Sequence, residues 1–212
     1  MRAAPGRRLL GAALMAICHA WPATARSDAM DLSRPAPQET CMYCHGAEGR
    51  VDTPDIPQIA AQNPLYLLTQ LRAYRTGARL DPGRYMLSAT MLLNDGELKQ
   101  AADYFAGLPA PKPVRLAPND SKPGARLYWQ GRAGLVACVA CHPPTGHPFA
   151  FDYPRLAGLN AGYLATQLRA YRSGKRRTDR FAVMRRIAVR LSDRDIAEVA
   201  AYLGSKTRVD RR

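Results

Sequence analysis

Apolar positions recur along this chain at helical spacing, and no stretch shows the strict alternation that a half-buried strand requires. After Asn63 and Pro64, an N-cap followed by a first-turn proline, Leu67, Leu71 and Tyr74 form one apolar stripe that Gly77 ends. A second stripe, Leu98, Ala101, Ala102 and Phe105, follows Asn94 and Glu97, which read as a capping box. The same plan returns later. Asn160 opens a stripe of Leu164, Leu168 and Tyr171 closed by Gly174, and Ser192 with Asp195 opens one of Ile196, Val199, Ala200 and Leu203. A basic, irregular loop is expected between the two helices of each half. The pattern predicts an all-α fold.

The recurrence is literal as well as periodic. Leu-Leu-Thr-Gln-Leu-Arg-Ala-Tyr-Arg-Thr-Gly at 67–77 matches Leu-Ala-Thr-Gln-Leu-Arg-Ala-Tyr-Arg-Ser-Gly at 164–174, an offset of 97. Leu93-Asn94-Asp95 matches Leu191-Ser192-Asp193 at an offset of 98, so one residue has been gained between Gly174 and Leu191. An internal duplication therefore predicts two domains, at 26–108 and 124–212, joined by a Pro-rich linker at 109–123. Pro109-Ala110-Pro111-Lys112-Pro113 is stiff and extended, too short to let the halves roam, so they are expected to pack together. Each half is small for an independent core.

The first residues place the chain in a cell. Arg2, Arg7 and Arg8 precede the apolar run 9–20 and then Ala23-Thr24-Ala25, the order of a signal peptide over 1–25 cleaved near Ala25. The run is too short to span a bilayer, and no transmembrane anchor is expected after cleavage. The mature chain is expected in the periplasm, and nucleic acid is not a plausible partner for an exported protein. Cys18 and His19 fall in the discarded segment, leaving four of five cysteines.

Charge is unevenly spread. The whole chain carries a net +14, yet residues 26–113 hold 9 basic and 10 acidic side chains, whereas 114–212 hold 19 basic and 7 acidic. The densest basic stretch holds Arg172, Lys175, Arg176, Arg177, Arg180, Arg185, Arg186 and Arg190 against Asp179 alone. Such a patch steers association with acidic protein partners, and an anionic membrane surface is a second candidate for peripheral contact.

The four remaining cysteines define the chemistry. Cys41-Met42-Tyr43-Cys44-His45 and Cys138-Val139-Ala140-Cys141-His142 each have the C-x-x-C-H spacing of covalent haem c attachment, again 97 residues apart. Two thiols one helical turn apart reach the two vinyl groups of one porphyrin, and the adjacent His reaches one axial face of its iron. A four-cysteine zinc ribbon would leave both histidines unused and needs pairs about 15–20 residues apart. Two covalently bound haem c groups are expected, with axial ligands His45 and His142. The opposite ligand of a haem is commonly Met or His. Met184 is the one methionine in the second loop, and its counterpart at offset 98 is Met86. Met91 competes in the first repeat, although its own counterpart is Val189. Met42, inside the motif, cannot swing to the far face, and Met30 has no counterpart. His147 reads as a surface or haem-edge residue. Pro57 and Pro154 each lie 12 residues beyond their motif His, and their carbonyls are expected to accept its second N–H.

These features together resemble one family. Both C-x-x-C-H motifs, Pro57-Gln58-Ile59 and Pro154-Arg155-Leu156, the Leu-x-x-Gln-Leu helices and the closing Met-then-Leu-x-Asp segments are similar to dihaem class I cytochromes c of the cytochrome c-four type, over about residues 38–205. The dihaem subunit of flavocytochrome c sulfide dehydrogenases is similar too. The resemblance implies two tandem class I cytochrome c domains related by a pseudo-twofold, each with a His/Met haem, in a periplasmic electron carrier that serves a terminal oxidase. The family's N-terminal helix crosses its C-terminal one through a Gly and an aromatic. Gly124 and Tyr128 fit this in the second repeat, whereas Pro35 and Pro37 disfavour a helix ahead of Cys41. With both axial sites filled, an electron carrier rather than an enzyme is expected, the alternative being the cytochrome subunit of a periplasmic dehydrogenase.

Overall fold

The computed structural model describes residues 35–51, 53–110, 116–144 and 151–204. The expected signal segment 1–25, Met30, linker positions 111–113 and His147 lie outside the described residues. Among the described residues the regular structure is helical, with one isolated bridge between Arg132 and Leu135. No helix among them is long and apolar enough to cross a membrane.

The first repeat comprises α1 (Pro37–His45), α2 (Pro64–Arg75), α3 (Tyr85–Met91) and α4 (Asp95–Gly107). The second comprises α5 (Pro123–Gln130), a 3₁₀ turn at Cys138–Ala140, α6 (Ala161–Arg172), a 3₁₀ turn at Arg180–Ala182, α7 (Val183–Ala188) and α8 (Asp193–Gly204). The caps read from the sequence are formed. Asn63 Oδ1 accepts from the Leu65 N–H at 2.9 Å, and Asn94 and Glu97 cap each other reciprocally at 2.7 and 3.0 Å. Ser192 and Asp195 do the same at 2.8 and 3.1 Å.

Two local readings need correction. Pro37 does not prevent a helix before Cys41; it begins one. A proline at the first helical position loses no hydrogen bond, and its fixed φ suits the turn. The segments carrying Met86 and Met184 are short helices, α3 and α7, rather than irregular loop. Each is entered through a left-handed residue two positions before the methionine, Arg84 (φ 54°) and Ala182 (φ 57°). Asp81 accepts from the Tyr85 and Met86 N–H groups at 2.9 and 3.1 Å, and Asp179 accepts from the Arg185 N–H at 2.9 Å, which anchors these sharp entries.

The cores differ in size. Among the described residues of the second repeat fifteen buried residues form one cluster, including Leu127, Tyr128, Leu164, Ile196, Val199 and Leu203. The corresponding cluster among the described residues of the first repeat is Leu67, Ala102 and Phe105. Helices α5 and α8 cross at Gly124, where a Cβ would stand 2.1 Å from the Glu198 carbonyl oxygen, so only glycine permits that approach. Tyr128, one turn on, is 1% exposed.

Candidate metal centres

Helix α1 carries Cys41 and, one turn on, the adjacent Cys44 and His45. In the second repeat the 3₁₀ turn delivers Cys138, Cys141 and His142, and the Tyr128 hydroxyl donates to the His142 carbonyl at 2.6 Å. None of the four cysteines is in a disulfide. The two pairs do not converge: among the described residues no three His, Cys, Asp or Glu side chains gather as a ligand set. A shared zinc site has no support in this arrangement.

His45 and His142 are each 6% exposed. His45 Nδ1 lies 3.0 Å from the Pro57 carbonyl oxygen, and His142 Nδ1 lies 2.8 Å from that of Pro154. A carbonyl oxygen can only accept, so each Nδ1 carries the hydrogen and each Nε2 keeps its lone pair. Burial lowers both imidazole pKa values, against the opposing pull of the carbonyl bonds. Each site therefore presents a neutral, pre-oriented ring nitrogen, the form that ligates a metal.

In the second repeat the four sequence-selected side chains Cys138, Cys141, His142 and Met184 line a single apolar cleft, with Pro154 beside them. The cleft is completed by Tyr66 and Gln70, which come from the first repeat. In the first repeat Met86 is partly buried, while Met91 is 66% exposed.

The interface between the repeats holds residues that the sequence reading did not single out. Arg79 and Arg176, equivalent at offset 97, are each 4% exposed. Arg79 donates to Gln70, Tyr163 and Gln167, each at 2.9 Å. Arg176 mirrors it, donating to Gln167 at 2.7 Å, Gln70 at 2.8 Å and Tyr66 at 3.1 Å. Each guanidinium stacks on the tyrosine of its own repeat, Tyr74 at 4.6 Å and Tyr171 at 4.5 Å. Among the described residues no carboxylate pairs with either arginine. Burial raises the Tyr66 pKa, but Arg176 and Arg79 overcome it and lower it overall. Two buried like charges without a counterion are costly, so this interface suits a ligand that brings carboxylates of its own. Haem, with its two propionates, is such a ligand, and Arg176 lines the cleft that holds the motif residues. A signal existed in the sequence: Gln70 and Gln167 place a polar group three residues after the leucine of an otherwise apolar stripe, in both repeats. Arg176, counted from sequence among the surface basic residues, belongs instead to this interior network.

A family profile described as Cytochrome c matches residues 121–207. Cytochrome c4 of Azotobacter vinelandii is 36% identical over 175 residues, covering 77% of this chain and 82% of that protein. The chain belongs to the cytochrome c4 family. The structure of reduced recombinant cytochrome c4 from Pseudomonas stutzeri superposes with a TM-score of 0.71 at 31% identity, covering 80% of this chain and 96% of that one. A thiosulfate dehydrogenase electron acceptor of Stutzerimonas stutzeri is 34% identical over 170 residues, 78% of each protein. As a member of the cytochrome c4 family, the chain is a dihaem electron-transfer cytochrome with two tandem cytochrome c domains and two covalently bound haem c groups. The paired thiols, neutral imidazoles and buried guanidinia of both repeats suit that cofactor.

Proposed function

We propose that this protein is a periplasmic carrier that shuttles single electrons between respiratory-chain donors and a terminal oxidase or similar acceptor. The observation that carries this reading is the repeated pair of buried imidazoles, each with Nδ1 committed to a proline carbonyl and Nε2 left for iron. Cys41 and Cys44 hold one haem by thioether bonds, and Cys138 and Cys141 hold the other. His45 and Met86 ligate the first iron; His142 and Met184 ligate the second. The exposure of Met91 favours Met86 in the first site. The domains run over 26–108 and 124–212, after a signal peptide removed near Ala25.

Bound haem supplies reversible one-electron exchange at its iron. With His45 and Met86 at one iron and His142 and Met184 at the other, bound haem would have no coordination site left for a substrate, and the chain would relay electrons without transforming a molecule. Soft thioether ligands favour the ferrous state. On the surface of the second repeat, Lys175, Arg177, Arg186 and Arg190 are exposed, and among the described residues none of the four pairs with a carboxylate. This face supports docking on an acidic redox partner. Electron transfer to such a partner slows as ionic strength rises. The decisive experiment is spectroscopy of the purified mature protein with cyanide and peroxide. Two low-spin centres that ignore both reagents are expected; a high-spin ferric centre at either site overturns the relay.

A second reading has specific support. Relatives named thiosulfate dehydrogenase electron acceptor are 34% and 30% identical to this chain. In that reading the protein is the cytochrome partner or subunit of a periplasmic dehydrogenase. Stable co-purification with a dehydrogenase, a flavoprotein included, would select it over the free carrier.

A further inference from the structure

The contacts across the repeat interface are not all symmetric. One group of them reaches the hydrogen bond that orients His142. The Pro154 carbonyl and the Arg155 N–H belong to one peptide group. Its oxygen accepts from His142 Nδ1 at 2.8 Å, while its N–H donates to Gln62 Oε1 at 2.7 Å. Gln62 closes a second bond, from Nε2 to the Arg155 carbonyl at 3.0 Å. On the other side of Pro154, Asn63 Nδ2 donates to the Tyr153 carbonyl at 3.1 Å and to the Phe151 carbonyl at 2.7 Å. Gln62 and Asn63 are 3% and 6% exposed, and both come from the first repeat.

A peptide group held at its N–H and its oxygen cannot rotate. Donation from its N–H also polarises its carbonyl and makes it a better acceptor, because hydrogen bonds in series strengthen one another. Among the described residues the first repeat lacks the reciprocal device. The residue equivalent to Gln62 is Leu159, whose side chain has no acceptor to offer the Pro57–Gln58 peptide. Asn160, the equivalent of Asn63, caps α6 through Gly162.

We infer that Gln62 and Asn63 are positioning residues for the second haem: from the first repeat they fix the peptide that hydrogen-bonds the His142 ligand, and so tune the second iron selectively. This inference rests on the ligand reading above. A firmer Nδ1–H bond gives His142 more imidazolate character, which favours the ferric iron. Weakening it raises the potential of the second haem and leaves the first unchanged.

The test uses the full dihaem protein with Gln62→Leu, the residue found at position 159, and separately Asn63→Ser, which keeps an N-cap oxygen but cannot span to Tyr153. Two quantities are read: the distribution of one electron between the haems in the half-reduced protein, and the hydrogen exchange of His142 Nδ1–H by NMR. In Gln62→Leu we expect a severalfold redistribution toward the second haem and faster exchange at His142, with His45 unaltered. Asn63→Ser shifts both quantities in the same direction by less. Unchanged distribution and exchange in both variants, or equal changes at both haems, overturns the inference and leaves the carrier function standing. A wild-type protein lacking two His-ligated haems overturns the function reading instead.

Discussion

The two repeats share a ladder of equivalent residues yet are stabilised differently. Both pin the start of the last helix to the second one. Arg75 reaches the Leu93 carbonyl and Asp95, just as Arg172 reaches the Leu191 carbonyl and Asp193. Beyond that common frame, the second repeat adds α5, which crosses α8 at Gly124 and brings Tyr128 and Trp129 against Tyr202. Among the described residues the first repeat has α1 in the corresponding place, and α1 consists largely of the attachment motif itself. One repeat thus carries a larger contiguous protein core beside its cofactor cleft, whereas among the described residues the other gathers a smaller set of buried apolar side chains, Leu67, Leu98, Ala101, Ala102 and Phe105 among them, on α2 and α4. Duplication preserved the hydrogen bond from each motif imidazole to a proline carbonyl and let the packing around it diverge.

The harshest way to break this comparison is to block haem attachment in one repeat at a time. With Cys41→Ala and Cys44→Ala together, the first repeat loses its cooperative unfolding transition, a loss on the order of a small domain's whole stability of about 5 kcal/mol. With Cys138→Ala and Cys141→Ala, the second repeat is weakened but keeps a measurable transition on its fifteen-residue core. Calorimetry with limited proteolysis separates the cases; equal collapse of both would show that core size does not matter.

Ligand replacement comes next. Met86→Ala opens the first iron to cyanide and lowers its potential, and Met184→Ala does the same at the second. Met91→Ala, at a residue 66% exposed, leaves the spectrum intact and changes stability by no more than about 0.5 kcal/mol. Absorbance titration with cyanide reads all three; if Met91→Ala opens the site, the ligand assignment moves to Met91.

A smaller effect separates the helix crossings. Gly124→Ala forces a methyl into the Glu198 backbone and destabilises the second repeat by about 1–3 kcal/mol. Gly107→Ala, at the end of α4, meets nothing within 4 Å and is neutral or stabilising by up to about 1 kcal/mol. Thermal melts of the two single variants report the difference directly.

What the sequence disclosed, and what it withheld, follows the range of the forces involved. The attachment motifs, caps and apolar stripes are local: Asn94 and Glu97, or Leu98 and Phe105, decide their structure among near neighbours. The duplication carried even a long-range expectation, because an offset of 97 or 98 paired Met86 with Met184. The interface was not legible. Arg79 and Arg176 look like surface residues in a basic loop, and only the approach of α2 to α6 turns them into a buried pair. Pro37 misled for another reason: its rule as a helix breaker applies to helix interiors, and position N1 is the exception.

The mildest contrast lies in acid. Arg132 and Ser192 hold the Asp195 carboxyl well below the usual carboxylate range, Arg132 contributing most, with burial opposing them. The Arg75–Asp95 and Arg172–Asp193 pairs are common to both repeats and largely cancel in a comparison between them. Arg132–Asp195, bidentate at 2.7 and 2.8 Å, belongs to the second repeat alone. The folded pKa of Asp195 is depressed, so its contribution is fully present above its unfolded value of about 3.9 and fades as pH falls through the folded one. Asp195→Asn removes this contribution and half of the Ser192 cap, costing about 1 kcal/mol at pH 7. Below pH ~3 the gap between variant and parent narrows, because the unfolded parent takes up a proton on the same carboxyl that the folded state keeps ionised. Denaturant titrations at both pH values, followed at the second haem, test this. A gap that stays constant with pH would assign the effect of the substitution to α8 packing rather than to the charge on Asp195.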